Sequence, residues 1–222
     1  YIKKSLPNSK IILIFRNPTD RTESFIKHCI SRLWIDPKSN IDLEITNTLK
    51  KINISNDLSD DNEHDYIKRA ILESIYSLNI EFWLKDFNNK IYITFFEDLK
   101  YDSVGLLKKI HFWLDIKFDN KSHKLFKPEN VSLNPRNKTL HKISIYLYSK
   151  FESFFRNNNW IKNKFKQLYL NLNNNSDDSF KLDFSTRNKL DDFFKKHNSD
   201  FHDILASNGL SEFPNWLKKH NL

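Results

Sequence analysis

The chain has 222 residues, 39% of them hydrophobic and 29% charged, including 19 Phe and 5 Trp, which is enough for the core of one domain. Its single cysteine excludes an internal disulfide, no apolar run reaches membrane-spanning length, and no signal peptide is visible. A net charge of +8 and a pI near 9.3 favour anionic ligands without choosing among a nucleotide, a sulfated glycan, nucleic acid or an acidic membrane.

The first element is an apolar, β-branched run from Lys10 to Phe15, read as a short strand covered on both faces. Asn17 is a good N-cap and Pro18 suits the first helical position, so a helix follows at once. On it Phe25, Ile26, Cys29, Ile30 and Leu33 share an apolar stripe, which makes Cys29 a buried thiol rather than a nucleophile. Arg21, Ser24 and His28 run along the stripe's margin. The helix's free N–H groups and positive end open beside Arg16, an arrangement suited to a bound phosphate. An equally simple reading makes Arg16 a solvated strand-end arginine and Ser24 an ordinary surface serine.

Further along, residues 36–63 read as a short helix around Ile41 to Ile52 followed by an acidic, polar loop. His64 to Phe87 reads as one long amphipathic helix with Ile67, Ile71, Ile75, Leu78 and Phe82 inward. Ile91 to Phe96 is a second strand. Glu97, Asp98 and Leu99 follow it, and Asp102 caps a helix carrying Leu106, Leu107, Ile110, Trp113 and Leu114 on one face. Glu129 to Ile143 is a polar loop entering a helix near Leu140. A last helix, within Lys181 to Leu205, turns Leu190, Phe193 and Phe194 inward ahead of Trp216. Only two strands of parallel type appear, there is no methionine and no Gly-rich phosphate loop. The chain therefore reads as the C-terminal part of a larger protein.

The stretch from Leu6 to Ser24 resembles the 3′-phosphate-binding motif of the sulfotransferase family. Leu6, Pro7, Lys10, Arg16, Asn17, Pro18, Arg21 and Ser24 match it in register, while Thr22, Glu23 and Phe25 stand where relatives often carry Ala, Tyr and His. The strand, Phe96-Glu97-Asp98-Leu99 and helix unit is similar to another part of the family. Tyr76, Trp83, Leu84 and Phe87 also resemble a family pattern, with Ser74 where glycine is usual. By their own chemistry Tyr76 and Trp83 read as packing residues.

The resemblance implies an α/β fold, like that of the P-loop NTPases, with a parallel sheet flanked by helices. Here it lacks the first strand and the 5′-phosphosulfate loop. On this reading residues 1–222 are the C-terminal part of a single sulfotransferase domain, with 36–63 a variable acceptor-side insertion and 181–222 a helical closure. The implied activity moves a sulfuryl group from 3′-phosphoadenosine-5′-phosphosulfate to a hydroxyl or amine of a glycan or small molecule. Arg16 and Ser24 would hold the donor's 3′-phosphate, with Arg136 a third contact and Lys138 a fourth. No catalytic residue is assigned, no metal is implied, and the chain alone is expected to be inactive. The branch resembled is the bacterial and polysaccharide type. A single cysteine and no visible signal suit a bacterial cytoplasm, with a membrane anchor on a missing N-terminus as the alternative. Two other readings stand beside this one. One is a sulfotransferase-like scaffold that binds the nucleotide without chemistry. The other is a basic nucleic-acid module built on Lys162, Lys164 and Lys166 among the aromatics of Trp160 to Leu170.

Overall fold

Two runs of β-branched and aromatic residues, Ile11–Phe15 (β1) and Ile91–Phe95 (β2), pair in parallel, with Ile11 opposite Ile91 and Phe15 opposite Phe95. They belong to a computed structural model that describes residues 2–36, 38–52, 65–119, 137–173 and 180–219. The described residues fall into two units, one formed by residues 1–26, 40–128 and 182–222, the other by 27–39 and 129–181.

In the first unit, a short helix Ile2–Ser5 (α1) leads into β1, and helix Pro18–Ser31 (α2) leaves it, reaching into the second unit with its last residues. Then come Ile41–Lys51 (α3), Tyr66–Leu72 (α4) and Ser77–Phe87 (α5) before β2. Phe96–Tyr101 (α6) and Ser103–Leu114 (α7) follow β2. Because side chains alternate along a strand, Leu13, Phe15, Ile93 and Phe95 share one face of the pair. That face packs on Ile80 of α5, Leu217, and Phe201 and Leu205 of the long helix Phe184–Ser207 (α11). On α11, Leu190, Phe194, Phe201 and Leu205 form one buried stripe.

The opposite face differs from the expectation of a strand covered on both sides. Tyr92 meets Trp113 of α7 with ring centroids 5.5 Å apart, but Ile12 and Ile14 are 38% and 50% exposed. Among the described residues this face of β1 is only partly covered. The expected long helix before β2 is also broken. Its chain tightens at residues 73–75, where Ser74 N–H donates to Ile71 O and Ile75 N–H to Leu72 O. That break resets the helical phase, so Ile80 and Phe87 are buried and Phe82, expected inward, is 70% exposed.

The second unit holds the end of α2 with Cys29 fully buried, and three helices, Lys138–Lys150 (α8), Glu152–Asn157 (α9) and Asn159–Asn173 (α10). Leu33 lies beyond the end of α2 with φ 61°, not on its stripe. Tyr148 stacks on Phe155, and Phe155 meets Phe165, both at 5.5 Å.

Candidate functional site

The corner between β1 and α2 forms as its residue types dictate. The Asn17 side chain caps α2 by accepting from Asp20 N–H at 3.2 Å, and Pro18 opens the helix, buried. Arg16 sits at the C-terminal end of β1. Its carbonyl accepts a 2.9 Å hydrogen bond from the Tyr76 hydroxyl, and its guanidinium lies over the Phe96 ring at 4.9 Å. Among the described residues no carboxylate pairs with Arg16. Ser24, on the second turn of α2, is exposed, and its hydroxyl bonds to no described group. The two side chains thus share one strand-to-helix corner without bonding each other.

Tyr76 was read as a packing residue and is one. Its ring meets Phe15 at 4.9 Å, Phe201 at 5.4 Å and Trp216 at 6.5 Å. It also fixes the backbone of Arg16, a role that composition and spacing do not signal. Burial pushes its phenol up to about 12, so it stays a neutral donor at ordinary pH. The nearby Glu97 accepts from the Trp216 indole at 3.0 Å through Oε1, while its Oε2 is buried without a partner.

Arg21 matches the phosphate motif in sequence but points elsewhere. Its guanidinium donates to Ser74 Oγ at 3.0 Å and to Glu73 Oε2 at 2.9 Å. Ser74 Oγ also accepts from the Thr22 hydroxyl at 3.0 Å and donates to Ala70 O at 2.7 Å. Thr22 and Ser74 are 0% and 1% exposed, and every donor and acceptor of the Ser74 hydroxyl is used. Burial raises the Glu73 carboxyl, but the hydrogen bonds from Arg69 and Arg21 outweigh it and hold the group below its usual range. Arg21 is therefore a tie between α2 and the break before α5.

The other two candidates fall in the second unit. Arg136 lies outside the described residues. Lys138 opens α8, behind an Asn137 cap that accepts from Leu140 N–H at 3.1 Å. The buried Asn173 side chain brackets Asn137, accepting from its N–H at 2.5 Å and donating to its carbonyl at 3.0 Å. Asn173 also donates to the Tyr169 hydroxyl at 3.2 Å. Tyr169 in turn lies 2.5 Å from His141 Nδ1, and His141 Nε2 lies 2.6 Å from Ser31 O. A carbonyl only accepts, so Nε2 carries the ring proton and Tyr169 donates to Nδ1. This network fixes the backbone between the two candidate residues.

An open cleft of about 530 Å³ runs along β2 between α6, α7 and residues 209–214. Glu97, Asp98, Asp102 and Glu212 line it against one cation, Lys109, so its charge does not suit a phosphate. Among the described residues, no three His, Cys, Asp or Glu side chains converge as a metal site, and no helix is long and apolar enough to cross a membrane.

Comparison with known proteins gives one family. The profile of the sulfotransferase domain matches residues 2–202. Among solved structures the chain is similar to a sulfotransferase from Alicyclobacillus acidocaldarius, at 16% identity and a TM-score of 0.36. The match covers 70% of this chain and spans 56% of the other's length. No curated protein sequence matches the chain.

Proposed function

The chain belongs to the sulfotransferase family, and we propose that its β1–α2 corner holds the 3′-phosphate of 3′-phosphoadenosine-5′-phosphosulfate. On this reading a hydroxyl or amine of a glycan or small molecule attacks the sulfur, and adenosine 3′,5′-bisphosphate leaves. The observation that carries it is Arg16, which ends β1 two residues before α2 and whose guanidinium, over the Phe96 ring, has no acid partner among the described residues. Arg21, by contrast, is committed to an acid, Glu73. Arg16 keeps its forked donors for a ligand, and Ser24 adds a hydroxyl. The Tyr76 bond to Arg16 O holds the arginine's backbone in place before the ligand arrives.

By the same resemblance Arg136 and Lys138 would be further contacts to the nucleotide. No residue of this chain is assigned as the base. The Lys162, Lys164 and Lys166 cluster supports the nucleic-acid reading poorly. On α10 Lys162 and Lys166 share a face, but Lys164 lies on the opposite side, over the Trp160 ring at 4.4 Å, so the three do not form one basic face.

The test is calorimetric titration of the chain with adenosine 3′,5′-bisphosphate and with adenosine 5′-monophosphate. The bisphosphate is expected to bind more tightly. Arg16→Ala should remove that preference, a loss of about 1.5–3 kcal/mol for one charge-assisted contact. Equal affinities for the two nucleotides in the unmodified chain would refute the reading. A bound nucleotide with no transfer to any acceptor tried would favour the scaffold.

A further inference from the structure

Two carboxylates stand on the opening turns of α2, Asp20 in the first and Glu23 one turn later. Glu23 lies five residues beyond Pro18, about 7.5 Å of rise along the helix, and about 100° around it from Ser24. Both acids are thus within about one Debye length of a phosphate bound at the helix start, where they would repel it. Arg187 of α11 meets both. Its Nη2 donates to Asp20 Oδ1 at 2.6 Å, and its Nη1 pairs with Glu23 Oε2. Glu23 is the more enclosed acid, its side chain 16% exposed against 40% for Asp20, so water screens it less. A second tie, from Thr19 Oγ to Asp191 Oδ1 at 2.5 Å, holds α11 against the same first turn.

We propose that Arg187 is a positioning residue of the donor site, which cancels the Asp20 and Glu23 charges and so permits α2 to receive a dianionic phosphate. The inference rests on the donor reading given above. Arg187 touches no ligand in this scheme. It acts through the field at the helix start, and only secondarily by holding α2 against α11. The hydrogen bond to Asp20, then the charge of Glu23, reinforces its protonated state.

The experiment extends the same titration to three variants at about 50 mM and about 500 mM salt. Arg187→Gln exposes both acids to the ligand and should weaken the bisphosphate roughly five- to tenfold at low salt, with a smaller loss at high salt. Adenosine 5′-monophosphate, which lacks the 3′-phosphate, should lose less than about twofold. The triple variant Arg187→Gln/Asp20→Asn/Glu23→Gln should return to within about twofold of the unmodified chain. Asp20→Asn/Glu23→Gln, with Arg187 intact, leaves an extra cation beside the site and should bind the bisphosphate more tightly. That last variant keeps the test decisive if Arg187→Gln does not fold. Unchanged binding in Arg187→Gln, a triple variant as weak as Arg187→Gln, or no tightening in Asp20→Asn/Glu23→Gln overturns the proposal. If the unmodified chain does not prefer the bisphosphate, the donor reading has failed first, and this inference falls with it.

Discussion

The buried Thr22–Ser74 pair makes a sharp test of how α2 is anchored. Ser74→Ala removes the acceptor for both Thr22 and Arg21. Arg21 loses little, because its side chain is 30% exposed and reaches water. Thr22 is fully buried and would be left with one contact, to Ala70 O at 3.4 Å, near the outer limit of a hydrogen bond. A buried hydroxyl left so poorly satisfied costs about 1–3 kcal/mol. Thr22→Val removes the donor instead. Ser74 Oγ keeps its bond from Arg21 and its bond to Ala70 O, so the cost is about 0.5–1.5 kcal/mol. In the double variant no hydroxyl remains to be stranded, and the combined loss should fall short of the sum by about 1–2 kcal/mol. The assay is urea unfolding of the four proteins followed by circular dichroism, with thermal midpoints moving about 2–4 °C per kcal/mol. Additivity within about 0.5 kcal/mol would refute the reasoning, since it would mean that the two hydroxyls do not depend on each other.

Tyr76 supplies a prediction in pH. Its folded-state value of about 12 lies above the ordinary 10.0, so the stability it contributes is complete below pH 10 and is lost as pH rises through 12. At pH 11 the loss is about 1.4 kcal/mol, and Tyr76→Phe should flatten that part of the stability–pH curve relative to the unmodified chain. An equally steep fall in both proteins would count against it. Glu73 works in the opposite sense. Its folded-state value lies below the ordinary one, so it stabilises above that value, and the benefit disappears as pH falls through the folded value. Glu73→Gln should lose that acid-side dependence in the same titration. For the helical phase, Ile80→Ala should cost about 2–5 kcal/mol in urea unfolding, whereas Phe82→Ala should stay within about 0.5 kcal/mol. Similar losses at the two positions would restore the unbroken helix.

Local chemistry was readable from the residues. Asn17 and Pro18 place the start of α2, Asp102 caps α7, and the spacing of Leu190 and Phe194 gives the buried stripe of α11. What depends on distant partners was not. Periodicity carries one phase through residues 64–87, because nothing nearby marks Ser74 as a stop. Its hydroxyl is claimed by Thr22 and Arg21, more than fifty positions earlier. Exposure of Ile12 and Ile14 is equally invisible in an apolar run, since the run reports only that the residues are apolar. The candidate site divides in the same way. The corner holding Arg16 and Ser24 is local and was legible, whereas the assignment of Arg21 to Glu73 and Ser74 was not.

The three departures from the family pattern on α2 are met by partners in space. Thr22, where relatives often carry Ala, bonds Ser74, itself standing where Gly is usual. Glu23, where Tyr is common, is paired with Arg187, 164 positions later. Phe25, in place of His, lies under the Arg69 guanidinium at 6.0 Å. A helix merely losing its purpose would accumulate stranded polar groups, and these would destabilise it. Here the substituted hydroxyl is satisfied and the substituted acid is neutralised, while Ser24 stays exposed and Arg16, half-buried, has no acid partner among the described residues. On α2 the matched Ser24 is thus kept clear, while the matched Arg21 and the altered Thr22 and Glu23 are tied down. This arrangement is expected of a helix that still receives an anion at its N-terminus.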